Sequence, residues 1–396
     1  MSDMIPLLKY RELKETSLNS WTLLSDSGKY FRMNSTSAKC SMVLNQSSSW
    51  SEAALTFSRV FDRKIAEDEA RSIGNTIISS IEGTSEDLIH PNGGDRRKRK
   101  WFSVNAIILS EQSVVLLARR FVFLFKPKIF WPMFMFSLVG SLYGASVLLS
   151  SASSRSVVSL AQSTGVFVLL SCVFFMHELG HSSATLSLDR KPGPIGFGLY
   201  LGLPVLYSDV SDVWFCTAAD RIRVNLAGIY VEFISVSILF IVGLIANSTL
   251  LSYAALTILT SAALQLIPFF RRDGYWLLAD FFDHPNLAEN SFDELFRLVR
   301  RPTANGPNMC LVLYALLGIF FLAGAILYIA IFYGDDIVND LFALRSLLLS
   351  GRLFSLSEVS VNFVGILRIT VLIAVIIQSL RFLGIVLSKS NPYRMR

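Results

Sequence analysis

The sequence predicts a multi-span α-helical membrane protein with a small α+β, winged-helix-like domain at its amino terminus. Three observations carry that expectation. The 396 residues are 52% hydrophobic and only 17% charged, with a mean hydropathy of +0.51, too apolar for an ordinary water-soluble chain. From residue 127 onward, six apolar runs each reach the ~20 residues a helix needs to cross the hydrocarbon core. Before that point the pattern changes to a hairpin signal followed by helical periodicity.

Met1 to Thr16 holds Lys9, Arg11, Glu12, Lys14 and Glu15 without an apolar core, so no secretory signal is expected. Trp21–Leu24 and Tyr30–Met33 flank Ser25–Lys29, which contains Gly28, and read as a β-hairpin. Apolar residues then recur at helical spacing near 36–44, 51–61 and 67–81, with Ser51 and Glu67 near two of the starts. Residues 1–83 are therefore expected to form the soluble domain. A linker over 84–100 carries Pro91, Gly93 and Gly94, then the basic run Arg96–Lys100, which marks a cytosolic face and can contact anionic headgroups. Residues 101–126 mix apolar side chains with Glu111, Arg119 and Arg120, predicting an interfacial amphipathic helix that Pro127 ends.

The membrane part, 127–396, is expected to span the bilayer at Ile129–Ser150, Val157–Leu186, Ile222–Ala246, Thr249–Phe270, Asn308–Tyr333 and Asn362–Leu387. With the amino terminus cytoplasmic, Lys191, Arg221, Arg223, Arg271, Arg272, Arg297, Arg300 and Arg301 fall inside, while a loop from Gly334 to Val361 with Asp335, Asp336 and Asp340 falls outside. Arg155, Arg345 and Arg352 are exceptions to this basic-inside pattern. The net charge of +6 and pI of 9.1 are thus topological, and nucleic acid is excluded as a partner; the lipid bilayer is the expected one. Cys40, Cys172, Cys216 and Cys310 have no paired spacing and predict no disulfide framework.

The second expected span ends in His177-Glu178-Leu179-Gly180-His181. On a helix, residues four apart share a face, so both imidazoles can reach one metal ion. Glu178 lies ~100° round from His177, placed to take a proton from a water at the metal without ligating it. His-Glu-x-x-His on a helix is the signature of zinc hydrolases, with the two histidines as ligands and the glutamate as general base. Ionisable groups in an apolar helix are costly and mark function by default.

Catalytic zinc takes three protein ligands and keeps an open position, and the histidine pair supplies two. The second and fourth spans run in the same direction, so their carboxyl-terminal ends arrive at one membrane level. The fourth ends at Phe270-Arg271-Arg272-Asp273-Gly274, which makes Asp273 the expected third ligand, with Gly274 relieving bulk at a sharp turn. Glu232 in the third span and His284 in a cytosolic loop are the competitors. Asp273 can instead be an interfacial charge paired with Arg271 or Arg272.

His177–His181 followed by a distal Asp273-Gly274 resembles the site-2 protease family of zinc intramembrane metalloproteases. The chain is most similar to the branch of peptide zinc metalloproteases found in bacterial peptide-maturation and export systems. Pro192-Gly193-Pro194, Gly196, Gly198, Leu206–Trp214, Asn225-Leu226-Ala227-Gly228, Asp273–Asp280 and Pro285-Asn286-Leu287 carry the likeness, over about 101–298. The resemblance implies zinc held by His177, His181 and Asp273, with Glu178 as base. It also implies a short hairpin or re-entrant segment over Gly193–Trp214 lining the site. Asp209 and Asp212 are expected to brace that segment rather than bind substrate, since short acidic side chains favour turns. One departure is Ile267-Pro268, where the family usually has Asn-Pro. Some relatives carry a carboxyl-terminal fusion or adaptor module, for which no sequence is found before Arg396.

Leu23-Leu24 with Gly28-Lys29-Tyr30-Phe31-Arg32-Met33-Asn34 resembles the PqqD-like fold of precursor-recognition elements. That likeness implies leader binding by strand addition to a sheet edge; a plain docking domain is the other reading. The expected activity is zinc-dependent hydrolysis of a peptide bond near the cytosolic membrane face. The expected substrate is a ribosomally made precursor peptide. The alternatives are a signalling protease that releases a membrane-tethered regulator from a membrane-protein substrate, and a non-catalytic export or immunity partner.

Overall fold

The computed structural model describes residues 10–17, 20–26, 28–82, 102–151, 160–200, 203–284, 286–300, 308–350 and 376. Among the described residues the chain is mostly helical, with eleven α-helices and six strands. It divides into two compact units. The first draws on 1–99, 108–195 and 208–262, and the second on 100–107, 196–207 and 263–396.

The first unit opens with a three-stranded antiparallel sheet, β1 (Tyr10–Ser17), β2 (Ser20–Ser25) and β3 (Tyr30–Asn34), in the order β1-β2-β3. β2 and β3 are the expected hairpin, with Leu24 opposite Tyr30 and Gly28 at φ +80°, a conformation that favours glycine. β1 is an addition. Its Lys/Glu-rich pattern hides the strand, which forms because Leu13 pairs with Leu23 and packs on the core.

Helices α1 (Ser35–Gln46), α2 (Trp50–Val60) and α3 (Glu67–Glu82) follow, within a few residues of the expected bounds. Ser49 rather than Ser51 caps α2: its hydroxyl accepts from the Glu52 N–H at 3.3 Å. Leu23, Phe31, Leu44, Trp50, Phe57, Ala70 and Ile78 form the core of this layer. Gly74 lies against the Trp50 ring, so Gly74→Ala drives a methyl into the indole. That change is expected to destabilise the layer by about 1–3 kcal/mol, read as faster amide exchange across α3, because overpacking outweighs the gain in helix propensity.

The expected linker at 84–100 lies outside the described residues. The expected amphipathic helix over 101–126 is corrected: the segment is strand β4 (Phe102–Leu109), short helix α4 (Glu111–Ala118) and a 3₁₀ turn (Val122–Phe125). Ser110 stops the strand and caps α4, accepting from the Ser113 N–H at 3.4 Å. The β-branched, alternating sequence before it pairs in a sheet instead.

Four of the six expected spans are helices long and apolar enough to cross a membrane. They are α5 (Pro127–Ser151), α6 (Leu160–Leu186), α7 (Ala218–Ile245) and α11 (Met309–Ser350). Their outer faces expose Phe136 (77%), Phe167 (69%), Ile245 (79%) and Phe320 (81%), as lipid-facing surfaces do. The fourth expected span is shorter than read. α8 (Thr249–Gln265) stops at 17 residues because Pro268 lacks an N–H and holds Ile267 out of helical geometry. The sixth, 362–387, lies outside the described residues. The expected loop from Gly334 is also corrected over 334–350. α11 continues through it, since one glycine costs only ~1 kcal/mol and no proline intervenes.

Within the first unit, α5, α6, α7 and α8 share a core of Ala145, Val173, Val236, Phe240, Ala255 and Ile258. Gly140 and Gly144 of α5 meet Ser237 and Phe240, and the Ser141 hydroxyl donates to the Phe233 carbonyl at 3.0 Å. In the second unit β5 (Ile195–Tyr200) lies between β4 and β6 (Leu203–Ser208). Its helices are α9 (Asp273–Phe281), α10 (Leu287–Arg300) and α11, with Tyr275, Leu287, Leu311 and Tyr314 in their core.

Candidate functional site

The histidine motif sits in the last turns of α6, and α7 is built to receive it. Gly180 meets Val231 and the Ala227 carbonyl, while Gly228 meets the ring of His177. Small residues on both sides allow the two backbones to approach closely. Val224, Gly228 and Glu232 are four residues apart and so share the face of α7 that meets the imidazoles.

Glu232 is fully buried, and its Oε1 lies 3.0 Å from His177 Nδ1. The Val224 carbonyl lies 2.7 Å from His181 Nδ1. A carbonyl can only accept, so His181 Nδ1 carries the proton and its Nε2 presents a lone pair, while Glu232 stands beside His177 Nδ1 as an ion-pair partner. The two Nε2 atoms face each other at 3.0 Å, with both rings buried. Two facing lone pairs repel unless a cation or a proton lies between them. The donor set suits a divalent transition metal: two buried imidazoles, with the Val224 carbonyl bonded to the outer nitrogen of one and the Glu232 carboxylate beside that of the other. Gly228 lets the His177 ring pack directly against α7, where a Cβ would collide with the ring at Nε2. If the pair holds a metal, Gly228→Ala is expected to lower metal content sharply while leaving the helices formed, measured by zinc analysis beside far-ultraviolet circular dichroism.

Glu178 has a partner of its own. Its Oε2 accepts from the Ser208 hydroxyl at 2.8 Å, and its carboxylate is half-buried. The hydroxyls that follow it are satisfied within the helix: Ser182 donates to the Glu178 carbonyl at 3.1 Å, Ser183 to Leu179 at 2.7 Å and Thr185 to His181 at 2.9 Å. A polar helix end is thus kept without competing for the imidazoles.

Ser208 leads into a turn and a 3₁₀ segment, Ser211–Phe215. Asp209 braces it as expected from turn chemistry, accepting from the Ser211 N–H at 3.1 Å and hydroxyl at 2.7 Å, while its backbone exchanges hydrogen bonds with Gly193 and Pro194. Asp212 accepts from the Lys191 N–H at 3.1 Å. The amino-terminal sheet also lands here. Thr22 donates to the Trp214 carbonyl at 3.1 Å, Tyr30 stacks edge-on against Phe215 and Arg190 forms a forked ion pair with Glu12 at 3.1–3.3 Å. Burial, with Asp212 and Asp209 nearby, holds the Tyr30 phenol above its ordinary pKa, so it stays a donor towards Asp212.

Asp273 belongs to the second unit, at the start of α9. Gly274 beside it faces the Leu266 backbone with no room for a Cβ, so the chain folds back sharply there. Arg271, one alternative partner for Asp273, forms an ion pair with Glu289 and lies over the Tyr275 ring. His284 follows α9, its N–H bonded to the Ala279 carbonyl at 2.8 Å. Glu232, the other candidate ligand, approaches His177 through Nδ1, on the side away from the facing nitrogens.

In the sequence Glu232 reads only as a candidate ligand, and Ser208 and Gly228 show no role of their own. A carboxylate four residues beyond a glycine in an apolar run was the available signal for the first. For Ser208 none existed, because its contact joins residues thirty apart.

Fold and site together define a helical, membrane-type protein with a buried histidine pair preorganised through its outer nitrogens. No family model matches the chain, and no curated protein and no solved structure matches it either.

Proposed function

We propose that this chain is a zinc-dependent endopeptidase of the site-2 protease type that hydrolyses a peptide bond near the cytosolic membrane face, on a ribosomally made precursor peptide. The reading includes a multi-pass placement in the cell membrane with a cytoplasmic amino terminus. The observation that supports it most is the pair of buried Nε2 atoms facing at 3.0 Å, with the Val224 carbonyl bonded to His181 Nδ1 and Glu232 beside His177 Nδ1.

In this reading His177 and His181 hold the metal, and Asp273 is the proposed third ligand. Zinc there supplies Lewis acidity, polarising the scissile carbonyl and making water acidic enough to attack near neutral pH. Glu178 takes the proton from the attacking water and delivers it to the leaving amine. Ser208 holds the carboxylate ready, Val224 keeps the His181 ring in the tautomer that leaves Nε2 free to coordinate, and Glu232 faces the outer nitrogen of His177. The PqqD-like sheet is proposed to hold the leader of the substrate.

The test is metal analysis of the purified full chain, with cleavage of the peptides encoded beside its gene. Bound zinc, with cleavage lost on chelation by 1,10-phenanthroline and regained on adding zinc, is the expected result. A metal-free chain whose histidines share only a proton, or cleavage indifferent to the chelator, would overturn the reading.

A further inference from the structure

Resting on that reading, we infer that the docked amino-terminal sheet sets the alignment of Glu178, acting through the strap from Ser208 to Phe215. Ser208 is the positioning residue. Its hydroxyl is 2.8 Å from Glu178 Oε2, a charge-assisted hydrogen bond that fixes one oxygen of the base. The strap that carries Ser208 is short and stiffened, with Asp209 bonded to Ser211 at 2.7 Å and the backbones of Gly193 and Asp209 paired at 2.6 Å.

What holds the far end of the strap is the sheet. Leu24 and Tyr30 bury Trp214 and Phe215 in one small apolar cluster. Thr22 caps the Trp214 carbonyl. Arg190 stacks over Phe215, 4.9 Å from its centroid, while its guanidinium reaches back to Glu12. The contacts to Trp214 and Phe215 fall within the seven residues after the one that touches the base. A sheet whose natural ligand is a substrate leader therefore reports on the base through one continuous set of packed and bonded groups. Displacing it frees the strap and loosens Glu178, with the histidine pair left intact on α6 and α7. The recognition element is in this way part of the catalytic alignment rather than a tether alone.

The experiment uses cobalt-loaded full-length protein in micelles and acetohydroxamate, a metal-chelating probe whose hydroxyl proton a base at Glu178 accepts. Its affinity is read from the visible cobalt spectrum and needs no substrate. Ser208→Ala is expected to weaken the probe about tenfold at unchanged cobalt content, the usual loss for one charge-assisted hydrogen bond. Ser208→Thr keeps the hydroxyl and is expected to restore it. In a Glu178→Gln background the Ser208→Ala effect should shrink, as coupled positions require. Glu12→Arg and Arg190→Glu should each weaken the probe several-fold, and the charge-swapped double variant should recover most of the loss.

Additive Ser208 and Glu178 effects, or single charge reversals that leave probe affinity unchanged, would overturn the inference. Reversals whose loss the swap does not recover would overturn it too, as misfolding rather than lost docking. A parent protein that takes up no cobalt would instead sink the zinc reading on which this one rests.

Discussion

On the proposed zinc-peptidase reading, Glu178→Gln is expected to leave zinc bound while cutting peptide cleavage by about 10²- to 10⁴-fold, the range for loss of a positioned general base. The amide is nearly isosteric with the carboxylate, and its oxygen can still accept from Ser208, whose hydroxyl lies 2.8 Å from Oε2 in the parent chain. Packing is therefore preserved, and what disappears is the ability to take a proton. The imidazole donors are untouched, because His177 and His181 are oriented by Glu232 and Val224 rather than by Glu178. Zinc analysis and cleavage assays on one preparation separate the two effects. Unchanged cleavage would remove Glu178 from the chemistry, and lost zinc would make it a ligand.

Much of this arrangement was legible in the sequence where the signal is local. His177, Glu178 and His181 lie within five residues, so helical geometry alone puts the imidazoles on one face. The β2–β3 hairpin was readable because Gly28 marks the turn, and α1 to α3 because their apolar spacing is regular. The misreadings share one cause, that composition does not reveal partners. β1 is polar, and becomes a strand only by pairing with β2. The stretch at 102–109 is apolar enough for an interfacial helix, yet sheet order β4-β5-β6 claims it. At 334–350 three aspartates suggested a loop, but acidic residues do not end a helix that lacks a proline. Ser208 and Glu178 met through tertiary structure alone. Their thirty-residue separation has no periodic signature in the chain.

Asp273→Ala decides among the candidates for the third ligand, and its expected result is near-complete loss of zinc at concentrations that saturate the parent. Three carboxylate or imidazole groups compete for the role, and they predict different rankings. Glu232 is committed to His177 Nδ1, so Glu232→Ala removes an orienting acceptor and is expected to weaken zinc by about 10- to 100-fold. Glu232→Gln keeps an acceptor oxygen and should lose less. His284→Ala should lose nothing. Loss of a direct ligand must exceed the loss of an orienting one, because it removes a bond to the ion and not merely its preorganisation. Competition against a chromophoric chelator gives the zinc affinity of each variant on a common scale. The order Asp273→Ala, then Glu232→Ala, then His284→Ala, from weakest to strongest binding, is required. If Glu232→Ala instead proves the weakest binder, the carboxylate beside His177 is itself the ligand and Asp273 reverts to an interfacial charge.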